Sequence, residues 1–140
     1  MTATLPSNLA TGDLIAEVWM DAVAACLAEL QPAALPTAWT APTLLNSWVV
    51  WGAGSFQIPQ YRKIGDMVQM RGSVKGGTIP SVILTLPVGH RPPNNILVPI
   101  VAASTAAYVV VGSDGTVNFP SVGGWTNSNV SLCCSFSVTP

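Results

Sequence analysis

"YRKIGDMVQMRGSVKGG", residues 61–77, holds four of the chain's five basic side chains, two turn signals and a strict alternation of polar and apolar positions. Ile64, Gly65 and Asp66 supply a tight reversal after Tyr61, Arg62 and Lys63, because glycine accepts the positive φ that two-residue hairpin turns require. Beyond the turn, Val68, Met70, Gly72 and Val74 fall on one strand face, with Gln69, Arg71, Ser73 and Lys75 on the other. The segment therefore reads as a hairpin of a larger β-structure. Its bases decorate a solvent-facing or intersubunit rim and do not form a nucleic-acid track.

The same period of two continues along most of the chain. SWVVW (47–51), FQI (56–58), MVQMRGSVKG (67–76), SVILTLP (81–87), ILVPI (96–100), AYVVVG (107–112), TVNF (116–119) and NVSLCCSFSV (129–138) are expected strands, separated by Gly, Pro, Asn and Asp. Many short strands at this spacing predict a mainly β fold, a compact β-sandwich or barrel-like knob. Asp114-Gly115 marks one tight hairpin. In the last run Val130, Leu132, Cys134, Phe136 and Val138 point one way, while Ser131, Cys133, Ser135 and Ser137 point the other, as in a half-buried strand. Cys133 and Cys134 then face opposite sides.

Upstream the pattern changes. Residues 14–30, LIAEVWMDAVAACLAEL, contain no Gly or Pro and are rich in Ala and Leu, so they predict one N-terminal α-helix. Asp13 is placed to cap it, and Pro32 and Pro36 oppose its continuation. Ile15, Val18, Ala22 and Ala25 follow a 3-4-3 spacing, while Trp19, Val23, Cys26, Leu27 and Leu30 widen the apolar surface. One short helix cannot hide this surface, which predicts association of equivalent helices around an axis. The expected organisation is a leader and helix over 1–31, a Pro-rich connector over 32–38 and a β-domain over 39–140.

Composition narrows the function classes. Only 8% of the 140 residues are charged, against about 25% in a common soluble domain, while 49% are apolar. An oligomer interface would cover that apolar excess. Asp13, Glu17, Asp21 and Glu29 stand in residues 1–31 without a base, whereas residues 32–140 carry five bases and two acids, a balance of +3 that is too weak for a specific nucleic-acid footprint. No run has the length and apolarity of a membrane-spanning helix. The start of the chain lacks the charge and hydropathy pattern of a signal peptide, so synthesis in a reducing cytoplasm is expected.

Chemistry is sparsely provided for. Cys26, Cys133 and Cys134 lack metal-ligand spacing, and reduced, largely buried thiols are expected. His90 is the only histidine, in the turn-like PVGHRPPNN, with an exposed structural role expected and no persuasive catalytic partner. GAGS and KGG lack the spacing of phosphate loops. No catalytic, cofactor or metal residue is assigned, and the chain reads as a non-enzyme. Trp39, Trp48, Trp51, Phe56, Tyr61, Tyr108 and Trp125 either plug the core and seams or line a carbohydrate or receptor groove.

LLNSWVVW (44–51), YRKIGDMVQMRGSVKGG, ILTLPVGHRPP (83–93), VPIVAAS (98–104), VVVGSDGTVNF (109–119) and WTNSNVSLCCSFSV (125–138) together resemble the C-terminal β-domain of tail fibres, minor tail proteins and related surface fibres of tailed bacteriophages. The resemblance spans residues 37–138. By it Tyr61, Arg62, Lys63, Gly65 and Asp66 match the first hairpin, Gly72, Lys75 and Gly76 the following strand exit, and Pro87, Gly89, Arg91 and Pro92 a family loop, mainly as scaffold positions. It implies a homotrimeric knob on the virion surface, made in the bacterial host cytoplasm. The Ile15, Val18, Ala22 and Ala25 face is then the helix interface, and residues 1–31 the attachment to other virion proteins, major capsid or tail. A head fibre or capsid decoration protein is the first expectation. A tail-mounted receptor-binding protein or adhesin, recognising a host surface glycan or another envelope component, is the second.

Overall fold

Alternation dictates strands that bury one face, and the chain satisfies this with two antiparallel sheets. The computed structural model describes residues 15–140; Asp13 lies outside the described residues, as do the side chains of Ile15, Glu17 and Glu29. The chain divides into two units between Leu35 and Pro36.

In the first unit, helix α1 (Ile15–Ala34) runs 20 residues. It passes through Pro32, which the sequence reading expected to end it. A proline there costs its own N–H bond and crowds the carbonyl four residues back, a penalty confined to the end of the helix, and Ala33 and Ala34 favour helix. Trp19, Met20, Val23 and Leu27 are exposed along α1. Among the described residues no helix is long and apolar enough to cross a membrane.

The second unit contains β1 (Val49–Val50), β2 (Gln60–Ile64), β3 (Met67–Arg71), β4 (Ser73–Lys75), β5 (Ser81–Thr85), β6 (Ile96–Ala102), β7 (Thr105–Val111), β8 (Thr116–Phe119), β9 (Val130–Ser131) and β10 (Cys134–Ser137). One sheet has the order β1-β4-β9-β6-β7-β8-β5 and the other β10-β3-β2. The expected hairpins form at Gly65-Asp66 and Asp114-Gly115, and Asp114 Oδ1 accepts from the Thr116 amide at 3.0 Å and hydroxyl at 2.7 Å. Those two donors, the amide first, hold the Asp114 carboxyl below its ordinary range.

The run 67–76 is one strand by pattern and two by partner. Val68, Met70 and Val74 are all buried, yet β3 pairs with β2 and β10 while β4 pairs with β1 and β9. The run 129–138 divides in the same way into β9 and β10. Both crossings meet where the Leu132 amide donates to the Gly72 carbonyl at 2.9 Å. Gly72 has φ +96, and a Cβ there would run into the Ile58 carbonyl and the Pro59 nitrogen, so glycine is required at this corner.

The larger sheet curls until its two edge strands approach. The Leu45 amide donates to the Ile83 carbonyl at 2.8 Å, and the Asn46 side chain donates to the Val82 carbonyl at 2.8 Å, tying the approach to β1 against β5. Trp48 plugs the closure: its ring is buried, meets Phe119 edge-on at 5.8 Å, and donates through Nε1 to Ser81 Oγ at 2.9 Å. A bulge at Ile83 breaks the register of β5 with β8, so Ile83 and Leu84 are both buried although adjacent.

FQI is not a strand. The amides of Ser55 and Phe56 both turn back to the Gly52 carbonyl, and Phe56 stacks on Trp51 at 4.3 Å between ring centres. Glycines at 52 and 54, both at positive φ, satisfy the backbone locally as a turn. The strand beside β3 begins later, at Gln60. Residues 36–40, partly assigned to the connector by sequence, run along β2: Thr37 donates to the Lys63 carbonyl at 2.8 Å, and Thr40 and Tyr61 exchange amide bonds of 2.9 Å.

Candidate functional site

The exchange between Thr40 and Tyr61 sends the chain past Ala41, Pro42 and Thr43 to Leu45, which is held on Ile83. Between this segment and the end of β5 lies a cleft of about 410 Å³, lined also by Tyr61, Thr85, Leu86, Pro87 and Arg91. That volume lies within the range of small-ligand sites, and the lining mixes apolar and polar residues in similar measure.

Arg91 is positioned by the turn that precedes it. The His90 amide donates to the Pro87 carbonyl at 3.1 Å, with Gly89 at φ +89 in the third position where a type II turn needs it. Arg91 Nε then donates to the Leu86 carbonyl at 2.9 Å. Gly115 leaves room for this: a Cβ there would stand 2.6 Å from Arg91 Nε. With Nε committed, the outer guanidinium nitrogens make no hydrogen bond among the described residues, and Arg91 lines the cleft together with Thr43, Thr85 and Tyr61.

His90 is not the exposed turn residue expected from sequence. It is half-buried, its ring meets Tyr61 edge-on at 5.3 Å, and Nδ1 is buried without a hydrogen-bond partner. Among the described residues no three His, Cys, Asp or Glu side chains converge as a metal site would require.

Of the positions marked by the family resemblance, Tyr61, Pro87 and Arg91 meet at the cleft, thirty residues apart in sequence. Arg62 and Lys63 continue β2, Gly65 and Asp66 form its turn, and Gly72 makes the corner. Lys75 is exposed at the end of β4, the Gly76 amide donates to the Asn127 carbonyl at 2.7 Å, and Pro92 is buried. The helix residues Val18, Ala22 and Ala25 belong to the other unit. Thr43, Leu45 and Thr85 were not singled out by sequence, where nothing distinguishes them from other loop and strand-end residues. The aromatics divide: Trp48 is core, Phe119 joins Tyr108 to it through Trp125 at 5.6 and 4.9 Å, and Tyr61 faces the cleft.

The thiols also depart from expectation. Cys26 and Cys133 are exposed and only Cys134 is half-buried, because residue 26 lies on an open helix face and residue 133 on the outer side of its run. Burial, with the Cys133 neighbour adding, pushes the Cys134 thiol up to about 12. The thiolate is the reactive form. Alkylation at pH 8 is therefore expected to label Cys26 and Cys133 and to spare Cys134 until the chain is unfolded, as peptide mass mapping reads directly; rapid labelling of Cys134 in the native chain would contradict the packing of β10.

Together these elements define a small antiparallel β-knob, one sheet curled into a half-barrel, preceded by one helix. No protein-family model matches the chain, and no curated protein matches it. Among solved structures it is similar to the crystal structure of the receptor binding protein (gp15) of Listeria phage PSA, with 21% identity and a TM-score of 0.71 over 94% of this chain and 82% of that one. The two share a fold.

Proposed function

We propose that this chain is a noncatalytic surface protein of a tailed-bacteriophage virion, a tail-mounted receptor-binding knob that touches a host surface glycan or another envelope component. The observation that carries the reading is the fold shared with the phage receptor binding protein over nearly the whole chain. The cleft between Tyr61 and Arg91 supports it as a place for a sugar ring. The head-fibre or capsid-decoration reading, placed first from sequence, gains no such support. Electron cryomicroscopy of intact particles tests the assignment: density for this chain at the tail tip is expected, and density on capsomers would overturn it.

The knob works as a homotrimer in this reading, attached to other virion proteins through residues 1–31. Two exposed apolar surfaces support an oligomer. One is α1, where Trp19 is 60% and Met20 71% exposed. The other is the outer face of β6, where Leu97 and Val101 stand open on either side of Pro99. Pooling the Ile15, Val18, Ala22 and Ala25 faces of three helices would bury area that stabilises by roughly 25 cal/mol per Å². Native mass measurement is expected to give three times the 14.5 kDa chain. Val18→Asp would place a carboxylate in that seam, costing several kcal/mol in aggregate, and is expected to shift the mass to monomer. A wild-type monomer at micromolar concentration would contradict the trimer.

A further inference from the structure

We propose that the outer face of the three-stranded sheet binds an oxyanion carried on a polymer, held by Arg62 and Arg71 beside Trp39. The pairing of β2 with β3 sets Gln60 opposite Arg71 and Arg62 opposite Gln69, so four polar side chains share one face. Tyr61 points to the other face, so this site is separate from the cleft and does not depend on the receptor-binding reading. Trp39, carried by the strip along β2, reaches over the two arginines. The guanidinium carbons of Arg62 and Arg71 lie 4.3 and 3.9 Å from the centre of its ring.

Each guanidinium is fixed in place by an uncharged partner, and among the described residues no carboxylate pairs with it. Arg62 Nε donates to Gln69 Oε1 at 2.9 Å, and Arg71 donates to Gln60 Oε1 through Nε at 3.1 Å and Nη2 at 2.6 Å. Both acceptors are uncharged amides. Among the described residues the two Nη groups of Arg62 and Nη1 of Arg71 make no hydrogen bond, so forked donors stand ready on an aromatic support. A planar fork of this kind matches carboxylate and phosphate oxygens. Residues 36–140 contain only two acids, Asp66 and Asp114. The first lies in the hairpin turn and the second is bonded to Thr116, so neither pairs with these cations.

Both guanidinium carbons lie within 4.3 Å of one ring centre, so the two charges repel each other, and binding of an oxyanion at either guanidinium offsets that repulsion. The balance of +3 over residues 32–140 restricts the ligand to one or a few anionic groups. A phosphate group and a sugar carboxylate share this chemistry.

Binding of the full chain to polyphosphate, polygalacturonate and neutral dextran, measured by calorimetry at low and moderate salt, tests the site and distinguishes the two sources. At least one anionic polymer is expected to bind, more weakly as salt rises, and dextran is expected not to bind this face. The double substitution Arg62→Gln, Arg71→Gln should weaken anion binding at least tenfold. Gln60→Glu should weaken it as well, because the new carboxylate occupies Arg71 from within, and it should leave thermal stability equal or higher. That second variant keeps the test valid if the double variant folds poorly. No binding of either anionic polymer by the wild-type chain, or undiminished binding by Gln60→Glu, would overturn the proposal.

Discussion

Gly72→Ala is expected to cost the β-unit about 2–5 kcal/mol, the sum of backbone strain at positive φ and overpacking against atoms that cannot yield. Domains of this kind are stable by roughly 5–15 kcal/mol, so a large part of the total is lost. The φ of +96 excludes an ordinary L-residue, and the added Cβ meets backbone, the Ile58 carbonyl and the Pro59 nitrogen. A flexible side chain could swing away; a peptide group inside the fold cannot. The damage also spreads, because the Gly72 carbonyl accepts the Leu132 amide where both long runs cross between sheets. Equilibrium denaturation in urea measures the loss. A change below 1 kcal/mol would show that the corner relaxes and that the two sheets are not locked there.

Trp48→Ala is expected to cost a similar amount, about 3–5 kcal/mol. The ring is 3% exposed and packs so closely on Gly77 that any Cβ there would overlap it. Its removal leaves a cavity facing Phe119 and takes away the hydrogen bond to Ser81. The position has a second consequence, since Trp48 closes the curl between β1 and β5. Hydrogen exchange in Val49–Val50 and Ser81–Thr85 should rise more than in the β6–β7 hairpin, which is paired along its whole length. Trp48→Phe keeps most of the packing and should cost clearly less. Uniform loss of protection with both variants would contradict a closure held by this side chain.

The strand faces were readable in advance because alternation reports which side is buried. The positions from Val68 to Val74 and from Val130 to Val138 face as their pattern requires. Alternation does not report which strand lies alongside, and the burial pattern passes through Gly72 without interruption while the partners change. A glycine inside a strand pattern was the available cue. FQI failed for the opposite reason: its apolar residues suit a strand, but the glycines before it close a local turn that takes up the Phe56 amide and bridges Phe56 back to Ala53.

The cleft was legible only in pieces. Tyr61 and Arg91 stood out as family markers, yet the hydrogen bonds that bring them together run through backbone groups of Leu86, Thr40 and Ile83, which no side-chain pattern reveals. From sequence Trp39 is one of seven aromatics that either plug the core and seams or line a groove. Its place follows from residues 36–40 pairing with β2, and prolines at 36 and 42 disguise that strip as a connector. The apolar outer face of β6 leaves no mark in ILVPI, where every position is apolar and alternation cannot assign a face; its proline fits a strand whose other edge, among the described residues, is paired only at Ala102.

The central claim, that the knob touches the host, is tested most directly by adding purified chain to susceptible bacteria before the phage. The chain is expected to coat the cells and to lower phage adsorption in proportion to its occupancy. Cells that neither bind the folded chain nor gain protection from it would overturn the proposed host contact.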